Sequence, residues 1–145
     1  MIDIKFIRNN PELLRQAIKN KNEKADLDTL LNTDETRRRL QFDFDTLKAE
    51  QNSVSQVIAQ KKRAKEDASA ELSQMARVAE QIKGLQTELT AVNAQMESLL
   101  LTIPNVPQSN VPIGRDESCN EVIRHVGEPV KLDFEPKDHL EIATQ

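Results

Sequence analysis

An all-α fold, with a long antiparallel two-helix coiled-coil arm, small N-terminal helices at its base and an extended C-terminal connector, is what this sequence predicts. Three observations predict it. Two heptad seams run one after the other between residues 40 and 103. From Thr33 to Leu101 there is no proline and, apart from Gly84, no glycine. The composition is poor in core material, with 37% apolar residues, 30% charged, four Phe and neither Tyr nor Trp among 145 residues. Such a chain suits helices that bury one narrow stripe, and disfavours a large sandwich, barrel or doubly wound sheet.

Residues 1–32 read as the base. Ile2, Ile4 and Phe6 alternate with Asp3 and Lys5, which predicts a short strand or extended piece. Asn10 as N-cap and Pro11 at the first helical position open a helix over 11–20, whose apolar face is Leu13, Leu14, Ala17 and Ile18. The turn-forming Asn20, Lys21 and Asn22 end it, and a shorter helical piece at Leu27, Leu30 and Leu31 follows.

Residues 33–102 read as the arm. Leu40, Phe44, Leu47, Gln51, Val54, Ile58 and Lys61 alternate spacings of 4 and 3, and Met75, Val78, Ile82, Leu85, Leu89, Val92, Met96, Leu99 and Ile103 alternate 3 and 4. In an antiparallel hairpin, facing positions add to a constant, and pairing Ile58 with Met75 through to Leu40 with Val92 gives 132 or 133 at every layer. The reversal therefore falls near 65–68, with Asp67 available to cap the returning helix. Two helices of roughly 33 residues make an arm about 50 Å long. Gln51 lowers seam stability and helps fix register, and Lys61, which pairs with Glu71 at the same sum, replaces an apolar layer by an ion pair.

Residues 103–145 change character. Pro104, Pro107, Pro112, Pro129 and Pro136, with Gly114 and Gly127, demand an extended connector. Val130, Leu132 and Phe134 alternate as a strand would begin, and the last residues read as the start of something larger.

Several function classes find no support. No apolar run approaches the roughly 18 residues of a membrane span, and Asp3, Lys5 and Arg8 interrupt any signal-peptide core, so a soluble cytoplasmic location is expected with no membrane partner. One cysteine, Cys119, forms no disulfide framework, and with two isolated histidines, His125 and His139, it makes no metal set. Phosphate-cradling glycine loops, a nucleophile elbow and a triad are all missing, so no catalytic residue, metal ligand or cofactor is assigned within the chain.

Charge is where function shows. The net charge is −4, yet residues 33–65 carry eight basic against five acidic side chains, while 66–102 carry two against six. Lys48, Asn52, Ser55, Ala59 and Lys62 form a stripe free of acids, and Lys61, Lys62, Arg63 and Lys65 cluster before the reversal. Donors of this kind bind phosphate backbones. With no aromatic residue at the tip, base stacking on single strands is not expected, and the shape and backbone of folded, double-helical RNA is. The plain alternative is a solvated coiled-coil face.

At the connector, Ile103, Pro104 and Asn105, then Val111, Pro112, Gly114, Asp116, Glu117 and Asn120, and later Arg124 and Gly127, resemble the segment that joins arm to catalytic domain in seryl-tRNA synthetases (serine–tRNA ligases). Asp34 with Arg37 and Arg38, the set Glu50, Asn52 and Ser55, and the opening from Ile2 to Pro11 extend the resemblance backward over essentially the whole chain. The resemblance implies an arm that grips the elbow and long variable arm of serine tRNA. It also implies a parent enzyme, commonly a homodimer, that uses ATP and magnesium to activate serine and attach it. Its class II catalytic domain would follow this chain, with Asp138, His139 and Leu140 resembling its first residues. Gln51 and Gln56 stand where the family usually has Arg and Lys, and Lys65 where it usually has glycine.

On this reading Lys48, Asn52, Ser55, Lys62, Arg63 and Lys65 are the expected phosphate and sugar contacts, with Arg77 and Lys83 added from the returning helix. The alternative from another class is a coiled-coil scaffold or chaperone-like arm that binds protein through apolar surface.

Overall fold

The computed structural model describes residues 2–144, and every regular element among them is helical. Helices α1 (Ile4–Asn9) and α2 (Pro11–Asn20) form the base, α3 (Leu27–Ala64) and α4 (Ser69–Thr102) form the arm, and a short 3-10 turn at Glu117–Cys119 and helix α5 (His139–Ala143) interrupt the connector.

The expected opening strand is instead α1. Asp3 accepts a hydrogen bond from the Lys5 amide at 2.8 Å and starts the helix, and the chain turns Ile7 into the core. Three alternating residues are too few to separate a strand from one short helix, and burial of Ile7 decided it. Asn10 precedes α2 as expected, yet its side chain donates to the Phe6 carbonyl at 2.9 Å and so closes α1 rather than capping α2. Pro11 begins α2, whose Leu14 and Ala17 are buried.

The piece at Leu27–Leu31 is no separate element. Asp26 caps it through the Thr29 amide at 2.9 Å, and α3 then runs unbroken for 38 residues, because Leu27, Leu30, Thr33 and Asp34 continue the buried stripe into the arm. At the base Ile7, Leu14, Leu27, Leu30, Met96 and Ile103 close one apolar cluster, which clamps both ends of the hairpin.

Along the arm every seam residue from Leu40 to Ile103 is buried or half-buried, with Val78, Leu89 and Val54 the most enclosed. At about 1.5 Å per residue, α3 is about 57 Å long and α4 about 51 Å. Helix α4 ends at Thr102, one residue before Ile103 turns extended and Pro104 forbids continuation. Lys21 Nζ donates to Asn105 Oδ1 at 2.5 Å, which ties the connector's first residues to the base.

The strand expected near Val130, Leu132 and Phe134 is not formed. Those residues are exposed, with no neighbouring strand among the described residues to complete a ladder.

Candidate functional site

The tip is shaped by how α3 stops. Lys65 adopts the left-handed conformation (φ 59°, ψ 31°), its amide bonds the Lys62 carbonyl at 3.2 Å, and the Glu66 amide bonds the Lys61 carbonyl at 2.9 Å. This is a Schellman closure, which usually takes glycine at the left-handed position. Ala68, buried, precedes α4, and Asp67 accepts from the Ser69 amide at 3.0 Å and its hydroxyl at 2.8 Å. Those bonds lower the Asp67 carboxyl below its ordinary range, so it stays ionised at the positive end of α4.

The last turn of α3 divides its cations. Lys61 turns inward and donates to Glu71 Oε1 at 2.6 Å across the seam. That hydrogen bond raises the Lys61 ammonium and lowers the Glu71 carboxyl. Lys62, Arg63 and Lys65 remain exposed and take part in none of the ion pairs among the described residues. Three cations thus sit where α3 presents its partly negative end.

The stripe below the tip follows from heptad geometry. Lys48, Asn52, Ser55, Ala59 and Lys62 occupy the two positions beside one edge of the seam, and Asn52, Ser55 and Lys62 are exposed. Lys48 is half-buried. Its Nζ donates to Gln51 Oε1 at 3.2 Å and lies 5.8 Å from the centre of the Phe44 ring. It is therefore folded back on the seam, a disposition already signalled by Phe44 four residues before and Gln51 three after.

The opposite edge is marked by Gln74 Nε2, which donates to Glu50 Oε1 at 2.7 Å. Arg77, exposed, stands one turn beyond Gln74 on that side, whereas Lys83, also exposed, falls on the stripe's side of α4. The eight candidates are thus not one surface. Lys48, Asn52, Ser55, Lys62 and Lys83 share a flank, Arg63 lies on the outer face, Lys65 makes the turn and Arg77 faces away.

At the arm's root lies a second charged group. Asp34, only 1% exposed, accepts from Arg8 Nε and Arg38 Nε at 3.0 Å each and from Arg37 Nη2 at 3.2 Å. Burial pushes its carboxyl up, but Arg37, Arg8 and Arg38 outweigh that and hold it below the usual carboxylate range. Arg37 and Arg38 were readable from helical spacing, whereas Arg8, on another helix, was not. Among the described residues no cluster of three or more carboxylate, imidazole or thiol groups is suited to a metal ion, and no helix is long and apolar enough to cross a membrane.

Comparison with known proteins places this architecture. The family described as Seryl-tRNA synthetase N-terminal domain matches residues 1–107. The chain is 47% identical over 143 residues to the serine–tRNA ligase of Caldanaerobacter subterraneus subsp. tengcongensis, covering 99% of this chain and 34% of that protein. To the serine–tRNA ligase of Desulfitobacterium hafniense it is 40% identical over 143 residues, again covering 34% of the relative. It is similar in structure to a seryl-tRNA synthetase from Pyrococcus horikoshii, crystallised in complex with ATP, with a TM-score of 0.69 and 25% identity over 81% of this chain and 27% of that one.

Proposed function

This chain belongs to the seryl-tRNA synthetase N-terminal domain family, and from that premise we propose that its arm binds serine tRNA, lying against the elbow and long variable arm of the folded RNA. The contacts are to phosphates and sugars, from Asn52, Ser55 and Lys62 on the flank and Arg63 and Lys65 at the tip, with Lys83 alongside. Lys48 joins them by swinging off Phe44, and Arg77 contributes to the field rather than to the same face.

The observation that carries this reading is the separation of charge at the tip. Lys61 satisfies Glu71 internally, so the three remaining cations stay in solvent at the end of a rod about 50 Å long. A rod with a basic end and a flank free of acids from Lys48 to Lys62 is attracted by phosphate, and it recognises RNA by the placement of double-helical arms rather than by base edges.

The chain spans 34% of the length of its serine–tRNA ligase relatives. In the proposed parent enzyme, which acts in the cytoplasm as a homodimer, the arm delivers the acceptor end of the RNA to an active site in the remaining part, and serine is attached there at the expense of ATP. This chain's part is to hold and orient RNA.

Charge reversal tests the reading. Lys62→Glu with Arg63→Glu is expected to weaken binding of a serine tRNA transcript and to flatten its salt dependence by about two phosphate contacts. A transcript with a shortened variable arm is expected to bind the unaltered chain more weakly. Unchanged affinity and slope in the double variant would refute the tip as the contact. Binding that ignores salt would favour the protein-binding alternative.

A further inference from the structure

The arginine group at the root of the arm holds more positive charge than the fold consumes. Arg8 bonds one oxygen of Asp34 and Arg37 the other, so both carboxylate oxygens are already served from two different helices. Arg38 adds a third guanidinium at 3.0 Å. Three cations against one buried anion leave two positive charges, and each guanidinium, with five N–H donors in a fixed fork, keeps donors beyond those used here.

The excess is reachable. The side chain of Arg38 is 47% exposed and that of Arg8 33%. Asp34 and Arg38 also occupy the heptad positions that continue the Lys48–Lys62 stripe toward the base, on the same flank of α3. Of the nearest acids along the helix, Glu35 lies on the outer face, whereas Asp45 shares the flank between Arg38 and Lys48 and accepts a hydrogen bond from Gln41 at 2.9 Å.

We propose that Arg38, backed by Arg8 and fixed by Asp34, is a second phosphate-binding site at the root of the arm, which takes a phosphodiester of the same folded RNA. The proposal rests on the RNA-binding reading and extends it along the flank. Arg38 is 24 residues from Lys62, or about 36 Å along the helix. A double-helical RNA arm presents phosphates throughout its length, so a rod lying beside it meets one at each end. Because Asp34 already holds the Arg38 Nε, the outer edge of the fork is presented to a phosphate with little further loss of side-chain freedom.

The test compares the unaltered chain with Arg38→Gln, Arg38→Lys and Lys62→Gln, each titrated with a serine tRNA transcript between 50 and 200 mM salt. Removing one phosphate contact lowers the log–log salt slope by about 0.9, so Arg38→Gln is expected to lose about 3.5-fold less affinity across that range than the unaltered chain. Arg38→Lys keeps the charge and is expected to keep the slope. An unchanged slope in Arg38→Gln, alongside a lowered one in Lys62→Gln, overturns the root site and leaves the tip standing. Equal loss of slope in Arg38→Gln and Arg38→Lys overturns it too, since the cause is then the lost Asp34 contact. If the unaltered chain shows no salt-dependent binding, the RNA reading fails and the root site with it.

Discussion

Replacing Asp34 by Asn removes one negative charge from the centre of three guanidiniums and tests what fixes the arm to its base. The carboxylate accepts three charge-assisted hydrogen bonds, at 3.0, 3.0 and 3.2 Å. Bonds of this kind contribute about 1.5–3 kcal/mol each. With the amide oxygen in the place that serves Arg8 and Arg38, the Arg37 bond is lost, an N–H donor is set against that guanidinium, and the two remaining bonds lose their anionic acceptor. The arginines are 27–47% exposed and recover part of the loss in water, which brings the expected destabilisation of Asp34→Asn to about 3 kcal/mol at neutral pH. Urea unfolding followed by far-UV circular dichroism measures it. The sign with pH is fixed by the lowered carboxyl of Asp34. Its stabilisation is complete above the unfolded value of about 3.9 and is lost as pH falls through the lower folded value. The gap between the two proteins should therefore close in acid. Equal stability at neutral pH, or a gap that persists below pH of about 2, would show that Asp34 does not fix the arm to its base.

Lys65→Gly relieves a non-glycine residue held at φ 59°, and is expected to raise stability by about 1 kcal/mol while weakening RNA binding, so thermal unfolding and affinity should move in opposite senses. Gln51→Leu places an apolar side chain at a half-buried seam position opposite Ile82. It should stabilise the arm by about 1 kcal/mol, measured as slower amide exchange in the middle of α3. A faster exchange there would mean that the Lys48–Gln51 bond outweighs the gained burial.

The arm was legible because a seam repeated over seven layers constrains itself. Register, reversal and the Lys61–Glu71 pair all follow from position arithmetic, and the αL closure occurs at Lys65, inside the expected turn. The base was less legible for want of repetition. Six residues of α1 carry too little pattern to distinguish periods of 2 and 3.6, and the deciding contact, Ile7 in the core, comes from helices distant in sequence. Leu27 to Leu31 looked separate because their burial is against α1, α2 and the end of α4 rather than along the seam. Val130 to Phe134 have a strand's alternation, yet alternation forms no strand without a neighbour to bond. For the candidate site, the heptad pattern located the flank and the tip, while the reach of Arg8 to Asp34, from another helix, depends on side-chain geometry that no spacing rule carries.

If RNA lies against one flank of α3, Ser55 and Ser53 should report it differently. Both are exposed serines, two residues apart, on opposite sides of the same helix. With Cys119→Ser as background, a photoactivatable label attached through Ser55→Cys should crosslink to bound serine tRNA, and the same label through Ser53→Cys should not. Equal crosslinking from both, or crosslinking from Ser53→Cys alone, would contradict the account.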